Sequence, residues 1–267
     1  GVFPLAPSLD TVGPITRNSN DAALVYAAIA GYDPTDPWSA PQSVSPPGVS
    51  PAPDTIVIGV PHPWVDLPQT DFVAASFVTA RSSLESAGFT LVDLDLPALV
   101  PGNEIEHIAY PEVALVHHER WHSHPETYGP EVAARMAAAF AIDPGTYVAV
   151  QGWRARVRHT AEEALTRCDF LLTPAVAATI KPIGDEEIEV AGRLVPYRPQ
   201  LSRFSALVNQ TGLPAIVLPL DQPGNPPPGI QLIGPRWGEH RLLEVGTALE
   251  RLGISRYRQP GAAGRAD

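Results

Sequence analysis

The chain has 267 residues, 44% hydrophobic and 18% charged, a balance that suits one globular domain or a large piece of one. A net charge of -11 leaves no basic face for nucleic acid, and no apolar run approaches the roughly 20 residues of a membrane span. A single cysteine, Cys168, excludes an internal disulfide and points to a reducing, cytoplasmic setting.

The first predicted element is a helix through Ala30, capped by Ser19 or Asn20. Residues 42–54 (QSVSPPGVSPAPD) are Pro/Ser-rich and read as an exposed connector. TIVIGV, residues 55–60, is a β-branched run and a buried strand. From Gln69 to Ala87, Val73, Phe77, Ala80, Leu84 and Ala87 fall on one helical face. Phe89 to Leu94 then alternates as a strand, and this strand–helix–strand spacing favours a parallel pair. Three helices follow, over residues 104–121, 131–140 and 145–167. The last carries Arg154, Arg156 and Arg158, read as a solvated face. Residues 169–173 (DFLLT) form a buried strand stopped by Pro174, and residues 184–199 a polar hairpin around Gly192. One helix is expected over 200–210. Strands over 214–220 and 229–234 are joined by DQPGNPPPG, and a final amphipathic helix spans 239–252. The tail, 259–267, is expected to fray. Gln231, an amide inside an apolar strand, needs buried hydrogen-bond partners. Trp64, Trp121, Trp153 and Trp237 read as core or edge packing, and Cys168 as a small buried hydrophobe.

Four blocks of this sequence, taken together, resemble the amidase signature family. Ser8, Leu9, Asp10, Gly13, Pro14 and Arg17 match its SLDxxGPxxR segment, and DFLLTP (169–174) its D-x-LLTP strand. FSALVNQTGLPAIVLP (204–219) is similar to its N-x-TG-x-PA segment, and GIQLIGPRWGEHRLL (229–243) to its G-x-Q-[LI]-x-G block. The resemblance implies an α/β fold, a mixed sheet with helices on both faces. Residues 1–267 would be the C-terminal part of a single such domain. It implies hydrolysis of a carboxylic amide by a serine nucleophile, a second serine on a cis peptide and a lysine base, with no cofactor. In the family these three precede the SLDxxGP segment, so they are expected upstream of Gly1 in the N-terminal half of the same enzyme. The chain alone is then expected to be inactive. Its substrate would be a small amide.

No catalytic residue is therefore assigned within the chain. The lone lysine, Lys181, has no serine three residues before it and reads as a loop residue. The resemblance places Thr173, Pro174, Phe204, Ser205, Asn209 and Thr211 near the cleft. Asp10 either supports the serine loop by accepting backbone N–H groups or forms a simple turn. The amidotransferase branch carries an acidic residue shortly before the Asn, suited to the ammonium group of glutamine. Ser202 stands in that region here, with Arg203 beside it. That favours a general amidase over the glutamine-hydrolysing component of a tRNA-dependent amidotransferase. A non-catalytic protein completing a separately encoded half is another alternative. The remaining rival is a zinc hydrolase: His118 to His122 reads H-E-R-W-H, which satisfies H-E-x-x-H. The run lies at a helix end near Pro125 and lacks an obvious third ligand, though His159 and acidic residues stay open.

Overall fold

The computed structural model describes residues 2–48, 50–102, 104–222 and 227–259. After an extended N-terminal segment come α1 (Ser19–Ile29), β1 (Val57–His62), α2 (Asp71–Ser86), β2 (Thr90–Asp95), α3 (Glu104–Ser123), α4 (Pro130–Phe140) and α5 (Pro144–Ala164). Then follow β3 (Phe170–Pro174), the hairpin β4 (Glu187–Val190) and β5 (Arg193–Pro196), α6 (Tyr197–Ser202), α7 (Ala206–Thr211), β6 (Ala215–Pro219), β7 (Gly229–Ile233) and α8 (Glu239–Arg251).

Five strands form a mixed sheet in the order β2-β1-β3-β7-β6. β1 runs parallel to both β2 and β3, whereas β7 is antiparallel to β3 and to β6. Helices cover both faces, as expected. On one face Phe77, Ala80 and Leu84 of α2 and Leu242, Val245 and Leu249 of α8 pack with Ile58, Val60, Phe170, Leu172 and Ile230. On the other, Val157, Ala161 and Ala164 of α5 and Leu207 and Val208 of α7 pack with Leu171 and Ile233. Successive residues of β3 thus enter opposite cores. That is why DFLLT reads as an unbroken apolar run rather than an alternating one.

The strand expected over 55–60 is shifted to Val57–His62, and two further differences have a packing cause. Asn18, not Ser19 or Asn20, caps α1: its side chain accepts the Asp21 N–H at 2.8 Å. Ser19 is instead a buried contact with α8, its N–H and hydroxyl both donating to Glu250 at 2.8 Å. Gly246 permits this approach, because a Cβ there would lie 2.5 Å from Ser19 Oγ. The single helix expected over 200–210 is two, α6 and α7. The chain breaks where Phe204 turns fully into the core beside Trp64, with ring centroids 6.3 Å apart. Its carbonyl there accepts Gln231 Nε2 at 3.0 Å. In the connector, residues 42–48 carry no helix or strand, and Pro53–Thr55 forms one 3-10 turn. Residues 223–226 of the β6–β7 connection and 260–267 of the tail lie outside the described residues.

Candidate functional site

The helix α5 runs beneath both the N-terminal segment and α7. Its buried stripe is Val150, Arg154, Val157, Ala161 and Ala164, spaced by four and three residues. Arg154 therefore points inward, which corrects the reading of the arginine ladder as a solvated face. Only 8% exposed, it donates through Nε to Gln210 O at 2.9 Å, through Nη1 to Ser8 Oγ at 2.7 Å and through Nη2 to Ser8 O at 2.8 Å. Burial pulls its pKa down and Arg158 adds to that, while Glu112 opposes it. Arg158, half-buried one turn on, donates to Thr211 O at 2.9 Å. Arg156 is off this stripe and exposed.

Glu112 on α3 closes the junction. Its carboxylate accepts the Ser8 N–H at 2.9 Å and the Ser8 hydroxyl at 2.5 Å. Asn209 Nδ2 donates to Leu9 O at 2.7 Å, and Asp10 accepts the N–H groups of Leu5 at 2.8 Å and Ala6 at 3.2 Å. The SLD segment is thereby locked to the 209–211 turn across 200 residues of sequence. Gly212 (φ 69°) supplies the left-handed residue that ends α7, and its N–H donates to Val208 O at 3.2 Å. Ser8 and Arg154, the centre of this network, were not among the residues expected at the site. The placement of Arg154 between Val150 and Val157 was the available signal.

A second network holds Thr173 and Phe204. Gln231 Nε2 donates to Thr173 Oγ1 at 2.9 Å and to Phe204 O at 3.0 Å, all three groups being buried. This meets the requirement of the buried amide for partners. Thr173 Oγ1 in turn donates to Pro174 O at 2.9 Å. Thr211 is buried in the turn, Asn209 half-buried, and Ser205 exposed between α6 and α7. Five of the six expected cleft residues thus fall into two groups, Thr173 and Pro174 with Phe204 tied to them through Gln231, and Asn209 and Thr211 against the N-terminal segment, while Ser205 stands exposed outside both.

Lys181 stands on the loop after β3, its Nζ 3.4 Å from Pro182 O and 5.2 Å from the Tyr197 ring centroid. Beside that loop a cavity of about 220 Å³ opens between α2, α6 and residues 176–180. His118 and His122 lie at the end of α3, both exposed. The His122 Nδ1 lies 2.7 Å from His118 O, and the two rings are 4.5 Å apart. Among the described residues no three His, Cys, Asp or Glu side chains are grouped to hold a metal, so the zinc reading has no donor set there. No helix among the described residues is long and apolar enough to cross a membrane.

The sheet, the flanking helices and the locked SLD and N-x-TG segments define an amidase signature fold. The chain belongs to the amidase family, whose model matches residues 1–243. The A component of the glutamyl-tRNA(Gln) amidotransferase of Moorella thermoacetica is 29% identical over 286 residues, covering 97% of this chain and 58% of the relative. AtzE, a component of the 1-carboxybiuret hydrolase of a Pseudomonas species, is 27% identical over 267 residues, covering 97% and 57%. A solved, inhibitor-bound vestigial protein complex, described as revealing the evolutionary origins of an s-triazine catabolic enzyme, superposes with a TM-score of 0.87. It is 26% identical, and the match covers 97% of this chain and 57% of that one. The chain spans somewhat more than half the length of the relatives it matches.

Proposed function

We propose that these residues form the C-terminal part of an amide hydrolase, walling a cleft in which a small carboxamide is cleaved to an acid and ammonia or an amine. The serine nucleophile and lysine base are supplied from outside the 267 residues. In that reaction the serine oxygen attacks the carbonyl, its proton passes to the base, and backbone N–H groups hold the oxyanion. The observation that carries this reading is the junction of Ser8, Glu112, Arg154 and Asn209. It clamps the segment that adjoins the serine loop in the family onto the N-x-TG turn. Asp10 then supports that loop, and Thr173, Pro174, Phe204, Ser205, Asn209 and Thr211 back the cleft.

Two further features support a part that is completed by more protein. The sheet ends on β6, whose Val217 is 58% exposed, and α1 turns Leu24, Val25 and Ile29 outward. An open strand edge of this kind is an aggregation template. Because loss of a serine nucleophile lowers turnover on the order of a millionfold, the chain alone has no measurable activity. The likeness to the amidotransferase component favours glutamine as a second reading. Arg203, a half-buried cation next to Ser202, weighs against it, since it repels an ammonium group.

The test is ammonia release from simple aliphatic and aryl amides by the purified chain alone and by the chain joined to a serine- and lysine-bearing amidase segment. Turnover is expected only in the joined form. Turnover by the chain alone, with contaminating hydrolases excluded, refutes the reading, as does a folded joined form that cleaves no amide.

A further inference from the structure

The cavity of about 220 Å³ opens where the chain leaves β3, between α2, α6 and the loop 176–180. Backbone bonds tie its walls together. The Ala175 N–H donates to Gly229 O at 3.0 Å, the Ala177 N–H to Gln200 O at 2.9 Å, and the Thr70 N–H, at the cap of α2, to Ala177 O at 2.9 Å. Phe77 and Ala178 are buried at its floor, whereas Phe72 and Leu201 are exposed at its mouth. Tyr197 adds a side wall, its ring centroid 5.2 Å from Lys181 Nζ. The fold thus builds this space from three elements that hold one another in place.

Its position joins it to the proposed cleft. Val176 in its wall is two residues beyond Pro174, and Leu201 is three residues before Phe204. Both segments that back the cleft therefore run directly into the cavity. Its chemistry is one-sided. None of the described residues that wall it carries a charge, and its few polar side chains are hydroxyls. A carboxylate or ammonium group there would be withdrawn from water without a partner, which is strongly disfavoured. A hydrocarbon gains from the same transfer. A dry cavity of about 150 Å³ lined by apolar side chains is enough to bind benzene. At about 220 Å³ this one has room for a single aromatic ring and a short linker.

Resting on the amide-hydrolase reading, we propose that this cavity is the acyl subsite, that it takes one neutral aromatic ring or a hydrocarbon of that size, and that Leu201 sets its depth. A side chain from the rest of the domain is the other occupant such a space could have, and the experiment separates the two.

In the full enzyme, 3-phenylpropanamide is compared with propanamide, which has the same reacting carbonyl but no ring, and with glutamine, which is charged. Wild type should favour the phenyl amide over propanamide by about tenfold to a hundredfold in kcat/KM, the range expected for burying one ring, and glutamine should do no better than propanamide. Leu201→Trp, which fills the mouth, should bring that ratio to about one, chiefly by raising KM for the phenyl amide. Leu201→Ala, which deepens the space, should let 3-(2-naphthyl)propanamide, a poor substrate of the wild type, approach the phenyl amide in kcat/KM. This second variant decides the matter if the first does not fold. Equal kcat/KM for phenyl amide and propanamide in the wild type, with both variants lowering the melting temperature, would mean that a protein side chain fills the cavity, and the proposal fails. A preference for glutamine, or a phenyl preference that survives Leu201→Trp, also overturns it and leaves the amide-hydrolase reading intact. Hydrolysis of none of these amides sinks both.

Discussion

Replacing Arg154 by alanine tests whether the junction holds the N-terminal segment in place. The side chain makes three hydrogen bonds from a charged donor, at 2.7 to 2.9 Å, while 8% exposed. Each bond of that kind contributes about 1.5–3 kcal/mol, though three from one side chain do not add independently. Truncation also leaves Gln210 O and Ser8 O without their donor and removes the cation facing Glu112. Breaking a buried charged group from its partners costs about 3–5 kcal/mol, which is the loss expected here. That is about a fifth or more of a typical domain's stability of about 5–15 kcal/mol. With a urea m-value of roughly 3 kcal/mol/M, the unfolding midpoint falls by roughly 1–1.7 M. Arg154→Lys should recover only a fraction, because one ammonium cannot reach three divergent acceptors. Arg156→Ala, exposed on the same helix, should stay within about 0.5 kcal/mol of wild type. Equal midpoints for Arg154→Ala and Arg156→Ala would refute the clamp.

His62 gives the stability a pH dependence of defined sign. Burial pulls its pKa down, but Asp66 (2.6 Å) and Asp93 (3.2 Å) more than offset this, leaving it above 6.5. A raised value in the folded state means stability present in full below the unfolded value and lost as pH rises through the folded one. The midpoint difference between wild type and His62→Gln should therefore be larger at about pH 5.5 than at about pH 8.5, and the reverse order would contradict the ion pairs. Cys168 is expected to be inert. Burial pushes its thiol up to about 11, only partly opposed by its backbone contact with Gly59. A thiol reagent at about pH 8 should label it slowly in the folded chain and fully in denaturant, since thiolate is the reactive form. Rapid labelling of the folded chain would show that the pocket around it opens.

What was legible in the sequence is what short-range periodicity encodes. The face of α2 from Val73 to Leu84 follows from spacings of three and four residues, and the parallel pairing of β1 with β2 from the helix between them. The buried strands β3 and β7 follow from short, largely apolar runs, and the need of Gln231 for partners from its place inside one. Arg154 was misread because residue type was weighed above position: its stripe neighbours Val150 and Val157 already pointed it inward. The division of α6 from α7 had no local signal, since it follows from Phe204 turning toward Trp64, far earlier in the chain.

By itself, then, the order of residues determined which segments coil, which extend and which of their faces avoid water, because neighbours along a strand or helix turn share one environment. Only the folded chain decided that Ser8 meets Arg154, Leu9 meets Asn209 and Thr173 meets Gln231. Such polar pairs join residues 58 to 200 positions apart, and their bonding atoms find each other only after both apolar faces of the sheet have been covered.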